Sequence, residues 1–284
     1  GDNGYEHGEI VDADEVYRRV PDLGPGALGG LSIPDESIVC SWTAALAYAT
    51  EAVHRGAHLL LRHRVSAVEV GDERTVLRTD RGDISARWVV NAAGLGADHL
   101  DRLLGHDRFT VVPRRGELIV FDKLARPLAP CIVLPVPSSR GKGVLISPTV
   151  YGNVMLGPTA EDLDDRADTS SSEAGLAFLR DKGRAIMPDL LEHEVTAVYA
   201  GLRAATEHAD YQLRSHPEQG YVCVGGIRST GLTASMAIAE HVVALLVEAG
   251  LDPGEARADD PPAMASIGEL SPRPYERADL VAAD

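Results

Sequence analysis

Apolar positions recur at two periods along the chain, and the alternation between them marks its elements. Asp12 is placed to cap a short helix, with Glu15 three residues on and Pro21 ending it. A second helix begins near Ser41, where Trp42, Ala45, Leu46, Ala49 and Val53 share one face at the 3.6-residue period and Gly56 supplies the stop. The period then falls to two. Leu59 to Leu61 and Val65 to Val70 read as strands, Gly71-Asp72 turns the chain, and Thr75 to Thr79 returns it. After a turn at Asp80-Arg81-Gly82, Ile84 to Gly94 reads as one strand. Its second half is apolar on both faces, as a central strand of a covered sheet requires. A helix with Leu100, Leu103 and Leu104 on its buried side follows.

From Val111 to Pro158 the pattern is of short strands broken by Pro and Gly: Gly116 to Phe121, Ile132 to Val136, Val144 to Ser147 and Val154 to Leu156, with a hairpin turn at Tyr151-Gly152-Asn153. This predicts an antiparallel sheet. The acidic stretch Glu161 to Asp168 reads as a solvated loop. Ser170-Ser171-Ser172-Glu173 opens a helix whose Leu176, Leu179, Ile186 and Met187 face inward until Pro188. Val195 to Tyr199 is a strand, and Tyr211 to Arg214 and Tyr221 to Val224 form a hairpin. Leu232 to Glu248 is a long helix presenting Met236, Ala239, Val243 and Leu246. Beyond Gly250 the periodicity disappears and prolines at 253, 261, 262, 272 and 274 mark a wrapping arm or linker.

Composition narrows the function classes. The chain has 284 residues, 44% of them apolar and 25% charged, an ordinary soluble composition with length for about two domains at roughly 150 residues each. With 27 basic residues against 43 acidic ones the formal charge is −16, a poor match to nucleic acid. Cys40, Cys131 and Cys223 are an odd number without a CxxC pair, which argues against a disulfide framework and a structural zinc and fits a reducing compartment. No apolar run approaches the roughly 20 residues of a membrane span, and the first residues do not read as a signal peptide.

Two glycine patterns invite a phosphate reading. Gly24-Pro25-Gly26-Ala27-Leu28-Gly29 satisfies GxGxxG, yet it follows a loop instead of a buried strand and no acidic residue follows in a βαβ context, so it is set aside. Gly225-Gly226-Ile227-Arg228-Ser229-Thr230-Gly231 is the stronger. It leaves a strand and enters a long helix, so bare backbone and a positive helix end converge on whatever lies there. Arg228 adds a cation that an anion would satisfy. His208, close behind Arg203, is a candidate general base or a plain loop histidine. Cys223 reads as a small core residue, and Cys40 lies near a helix start without a partner in the sequence. His54 and His58 do not form a zinc motif, and no metal site is expected.

Five segments in this order resemble a known family. Gly225 to Ser235 is similar to the C-terminal flavin-contacting motif of FAD-dependent oxidoreductases of the D-amino-acid oxidase and glycerol-3-phosphate dehydrogenase superfamily. Trp88-Val89-Val90-Asn91-Ala92-Ala93-Gly94 looks like that family's second FAD signature, and Tyr199-Ala200-Gly201-Leu202-Arg203 is similar to its substrate-arginine element. Pro113-Arg114-Arg115-Gly116-Glu117 looks like the start of its substrate sheet. Gly157 to Asp162 resembles a loop of the glycerol-3-phosphate dehydrogenase branch.

The resemblance covers roughly residues 9 to 275 and implies an α/β (α+β) fold, a partial FAD-binding Rossmann-like domain plus a mainly antiparallel-sheet substrate domain. It implies FAD as the cofactor, with Gly226, Ser229, Thr230, Gly231, Leu232 and Thr233 along the flavin ring, Ala92, Ala93 and Gly94 past the pyrophosphate side, and Val65 near the adenine. Arg203 would pair with the substrate's acidic group and Arg228 would be a second anion contact. The implied reaction moves a hydride from a small anionic CH–OH substrate such as glycerol 3-phosphate to flavin N5. A 2-hydroxy acid or amino acid is the alternative, and a non-catalytic fragment or partner subunit is a third.

The implied layout is a joining segment at 1–56, the second part of the FAD-binding domain at 57–108, the substrate domain at 109–200, the C-terminal part of the FAD-binding domain at 201–250 and a tail at 251–284. The family's opening strand, GxGxxG turn and helix have no counterpart here. Homo-oligomerisation or association with a missing N-terminal half is therefore expected, in the cytoplasm, with a peripheral contact at the inner face of the membrane. The electron acceptor is undetermined.

Overall fold

The structure, a computed structural model, describes residues 4–136 and 143–255. The arm expected at 251–284 therefore lies outside the described residues from 256 onward. In chain order the elements begin with β1 (Glu9–Asp12), α1 (Ala13–Arg19), β2 (Gly29–Ser32) and α2 (Ser41–His54). Next come β3 (Val65–Val70), β4 (Thr75–Thr79), β5 (Ile84–Ala86), β6 (Val89–Asn91) and α3 (Ala97–Leu103). The middle holds β7 (Val111–Phe121), β8 (Leu145–Pro148), β9 (Val154–Gly157), β10 (Glu161–Asp162) and α4 (Glu173–Ile186). The last are β11 (Val195–Thr206), β12 (Gln212–His216), β13 (Tyr221–Gly225) and α5 (Gly231–Glu248).

Local chemistry sets several of these boundaries as the sequence foretells. Asp12 accepts from the Glu15 N–H at 2.9 Å to cap α1, and Ser172 accepts from Gly175 N–H at 3.0 Å to cap α4. The Tyr151-Gly152-Asn153 turn joins the β8–β9 hairpin, with Gly152 at φ +89°. The set-aside glycines at 24 to 29 have a packing role. Gly24 donates to the Ile186 carbonyl at 2.7 Å, and a Cβ there would stand 2.5 Å from the Ala185 carbonyl oxygen.

Among the described residues four sheets carry the fold, all antiparallel except for one pair. The large sheet runs β10-β7-β9-β8 with β11 on β7, the small ones are β1-β2 and β3-β4-β5, and in β12-β13-β6 the β13–β6 pair is parallel. The main core lies between the large sheet and α4, where Ile119, Phe121, Ile146, Leu156, Leu179 and Met187 are all buried. A second core joins Val89, Ala97, Leu104, Phe109 and Val111 to Tyr221 and Cys223.

Several expectations need correction. Leu59 to Leu61 is not a strand and stays about half exposed. The run Ile84 to Gly94 is not one strand. β5 ends on β4, and from Val89, whose N–H meets the Gly220 carbonyl at 2.8 Å, the chain joins β13. Val90 is exposed, so only one face of β6 is covered. In Ile132 to Val136 only Val133 pairs, bridging Ile146. β11 continues seven residues past Tyr199 because β7 offers it a partner throughout.

The helices show a second kind of difference. α2 forms where the period predicts, but none of its residues is buried and Trp42 is 79% exposed. α5 buries Val242 and Leu246 against β13 while Met236 and Val243 face outward, a rotation of the expected face. Its 18 residues are also apolar enough, by length and composition, to cross a membrane. Cys40 has partners that its sequence neighbourhood hides: it caps α2 and accepts from Thr43 and, at 3.0 Å, from the Tyr151 hydroxyl. Those hydrogen bonds lower its thiol pKa to about 7.

The acidic loop departs most from expectation. Glu161 and Asp162 pair with β7, and Arg166 reaches back to a wholly buried Asp98, donating to both of its oxygens at 2.6 and 2.7 Å. The same guanidinium holds the carbonyls of Leu95 at 2.8 Å and Val111 at 2.9 Å. Burial alone would raise the Asp98 pKa; the Arg166 hydrogen bonds, the Val111 N–H and the nearby guanidinium charges outweigh it and hold it at about 2. A second buried carboxylate, Glu117, accepts from the Ser172 hydroxyl at 2.9 Å and the Thr159 hydroxyl at 3.1 Å, tying α4 to β7.

Two stability outcomes follow from these carboxylates. A Cβ on Gly175 would stand 1.6 Å from Glu117 Oε2, so Gly175→Ala should cost about 1–3 kcal/mol in urea unfolding. Arg166→Met should cost about 3 kcal/mol near neutral pH, the low end for stranding a buried charge because Arg102 and the Val111 N–H remain on Asp98. Because the folded Asp98 pKa is depressed, its contribution is complete above the ordinary carboxylate value and is lost as pH falls through that value toward 2. The parent's unfolding free energy should decline over that acid window and the variant's should decline less.

Candidate functional site

The end of β6, the middle of β11 and the turn before α5 enclose a cavity of about 320 Å³. Ala92 and Gly94 line one side, Leu202 and Ala204 a second, and Gly226 and Arg228 a third. Each wall has a local cause. Asn91, fully buried at the end of β6, donates to the Ala97 carbonyl at 2.8 Å and the Tyr221 hydroxyl at 3.0 Å, and accepts from Ala93 N–H at 3.2 Å. It thereby turns the chain through Gly94, whose φ of +54° favours glycine. Gly226 takes φ +67° and is hemmed in by Thr206, 3.3 Å from where a Cβ would stand.

Arg228 is the one other residue of the cavity with a left-handed backbone, at φ +59°. Its N–H donates to the Ala204 carbonyl at 3.3 Å and its guanidinium to the His208 carbonyl, so β11, the His208 loop and the β13–α5 turn are tied together. His208 itself is exposed, with Nε2 2.9 Å from the Arg108 carbonyl, the environment of a loop histidine. Cys223 is buried in β13 as expected, and burial first of all pushes its thiol pKa up to about 12.

Ser229, Thr230, Gly231, Leu232 and Thr233 make the turn and first helical residues of α5, following the lining residues Ile227 and Arg228 without lining the cavity themselves. The Thr230 hydroxyl donates to the Ile227 carbonyl at 3.2 Å and shares a hydrogen bond with Tyr211, so no side chain caps the helix. Its first N–H groups and the positive end of its dipole stay available beside the cavity. Ala93 lies exposed next to Ala92. Val65 sits elsewhere, at the start of β3 in the three-stranded sheet, and does not line this cavity.

Arg203 also lies outside the lining, on the face of the large sheet opposite α4. It is the cross-strand partner of Arg114, on the alternate set from buried Arg115, Glu117 and Ile119. Its Nε donates to the Arg114 carbonyl at 3.3 Å, and its Nη2 to the carbonyls of Arg115 at 3.0 Å and Thr159 at 2.6 Å. Among the described residues no carboxylate meets it. Burial, then the charge of Arg114, pushes its pKa below the ordinary guanidinium value while Asp162 opposes them. Beside it the next cross-strand pair is Gly116 and Gly201, and nothing lies within 4 Å of a Cβ position on Gly201.

Sequence reasoning missed the supports of this site. Asn91 had a signal, a lone polar residue closing an apolar strand before Ala-Ala-Gly. Asp98 and Arg166 had none, because 68 residues separate them and each looks like an ordinary surface charge. Asp162 was hidden in the same acidic run.

Bare backbone at Gly94 and Gly226, an uncapped helix start and small apolar walls suit one edge of a flat, carbonyl-bearing ring. The chain is 31% identical over 245 residues to a glycerol 3-phosphate dehydrogenase of Caloramator mitchellensis, covering 86% of this chain and 51% of that protein. It is 27% identical to the glycerol 3-phosphate oxidase of Mycoplasma pneumoniae, covering 84% and 64%. The chain thus spans about half to two thirds of the length of these relatives. Among solved structures, the L-alpha-glycerophosphate oxidase from Mycoplasma pneumoniae with FAD bound superimposes with a TM-score of 0.79 at 26% identity, over 86% of this chain and 66% of that one. Glycine oxidase from Geobacillus kaustophilus gives 0.72 at 25%, over 91% and 66%. Residues 1–245 match the profile described as FAD dependent oxidoreductase, and the chain belongs to that family.

Proposed function

We propose that this chain supplies the substrate sheet and the flavin-ring contacts of an FAD-dependent dehydrogenase or oxidase acting on a small anionic CH–OH substrate such as glycerol 3-phosphate. The observation that carries the reading is Arg203: a half-buried guanidinium on the open sheet face, with no carboxylate partner among the described residues, beside Gly201, where nothing lies within 4 Å of a Cβ position. A cation so placed is satisfied by an incoming anion. The names of the similar proteins, glycerol 3-phosphate dehydrogenase and oxidase, support a phosphate-bearing substrate.

FAD, when bound, supplies the hydride acceptor. The residues that would hold its ring end are Ala92, Gly94, Gly226 and the α5 start from Ser229 to Thr233, where free N–H groups favour negative charge on a bound group. Arg203 binds and orients the substrate's anionic end, and Arg228 presents a second cation at the cavity wall.

The outward apolar surface of α2 and α5, with Trp42 at 79% and Met236 at 56% exposure, supports association with a second copy or with further flavin-domain chain. Purified as these 284 residues, the protein should run above its 30.2 kDa mass in light scattering, and a heat-stable monomer would remove that part of the proposal. In the FAD-loaded protein, recognised by absorption bands near about 370 and 450 nm, Arg203→Ala should raise KM for glycerol 3-phosphate by about 10². An unchanged KM would remove Arg203 from the site.

A further inference from the structure

Three cross-strand partners stand in one row on the open face of the large sheet: Asp162 on β10, Arg114 on β7 and Arg203 on β11. Directly opposed residues share a face, and like charges so placed repel. Arg114 and Arg203 are such a pair. Asp162 engages Arg114 bidentately, accepting from Nε at 2.6 Å and Nη2 at 2.9 Å. That leaves the Arg203 guanidinium with three carbonyls and, among the described residues, no counter-ion. On the opposite face Arg115 is neutralised separately by Glu161 at 2.6 Å and Asp168 at 3.5 Å. The row therefore carries two guanidiniums and one carboxylate beside the open backbone of Gly201, while Gly116 is covered by Pro158 and the Arg203 guanidinium.

Resting on the reading of Arg203 as the substrate-anion contact, we propose that Asp162 is a specificity-determining residue. Through its pair with Arg114 it sets the positive potential at Arg203, and so the preference for a doubly charged phosphate over a singly charged carboxylate. Coulomb attraction scales with the charge of the ligand, so a change of one charge in the row shifts the binding free energy of a dianion about twice as far as that of a monoanion. Losing the Asp162 charge strengthens anion binding. Losing Arg114 does the opposite, because Asp162 is then left facing Arg203 alone.

This opposition of sign separates an electrostatic role from a structural one. In the FAD-loaded protein above pH 7.5, where inorganic phosphate is mainly a dianion, competitive inhibition by phosphate and by acetate is compared across variants. Asp162→Asn should tighten phosphate about five- to tenfold and acetate about two- to threefold, lower KM for glycerol 3-phosphate and leave kcat unchanged. Arg114→Gln should weaken phosphate by a similar factor, the double variant should return near the parent, and Asp162→Glu should match the parent. Melting shifts with phosphate and acetate give the same ranking without turnover. Weaker binding in both single variants, or an unchanged phosphate-to-acetate ratio in Asp162→Asn while Arg203→Ala loses both anions, overturns this inference alone. If Arg203→Ala binds both anions as the parent does, the Arg203 reading falls and this inference with it.

Discussion

The ion pair between Asp98 and Arg166 is the constraint on which the site depends. A carboxylate with no solvent contact is costly unless its charge is met, and here one guanidinium meets both oxygens while also closing the Leu95 and Val111 carbonyls. Three stretches distant in sequence are joined by that one side chain: the turn after β6, the start of β7 and the loop after β10. Breaking any of them would strand a buried charge, so the turn carrying Gly94 is held where the cavity needs it.

The large sheet extends this order outward. Its core-facing set on β7 ends in apolar Ile119 and Phe121 but includes Arg115, paired with Glu161 and Asp168 while its buried Nε has no partner among the described residues, and Glu117, held by Ser172 and Thr159. These fix α4 and β10 to the sheet. The opposite set carries the Asp162–Arg114–Arg203 row next to the Gly116–Gly201 pair. One strand thus separates a face that holds the fold from a face that carries the charged row, because its side chains alternate.

Much of this was legible from pattern. Asp12 and Ser172 announced helix starts by chemistry that acts over three residues, and the Tyr151-Gly152-Asn153 hairpin and the α5 entry were equally local. The family motifs at 88–94, 199–203 and 225–235 were readable for the same reason, since each is a continuous strand or turn. What failed was everything that required knowing which neighbour arrives. Ile84 to Gly94 looked like one strand, yet its two halves belong to different sheets because β4 and β13 compete for it. Leu59 to Leu61 had a strand's composition but no partner strand.

The sequence by itself determined the element types, the helix caps, the glycine turns and the family to which the chain belongs, because each is encoded in a few adjacent residues. Tertiary structure alone decided which charges are structural and which are free. Asp98 and Arg166, Glu117 and Thr159, and Arg114 and Asp162 are separated by 40 to 70 residues, and no local rule distinguishes a buried ion pair from two solvated charges. Only the fold brings them within hydrogen-bonding distance, and in doing so it leaves Arg203 without a counter-ion among the described residues.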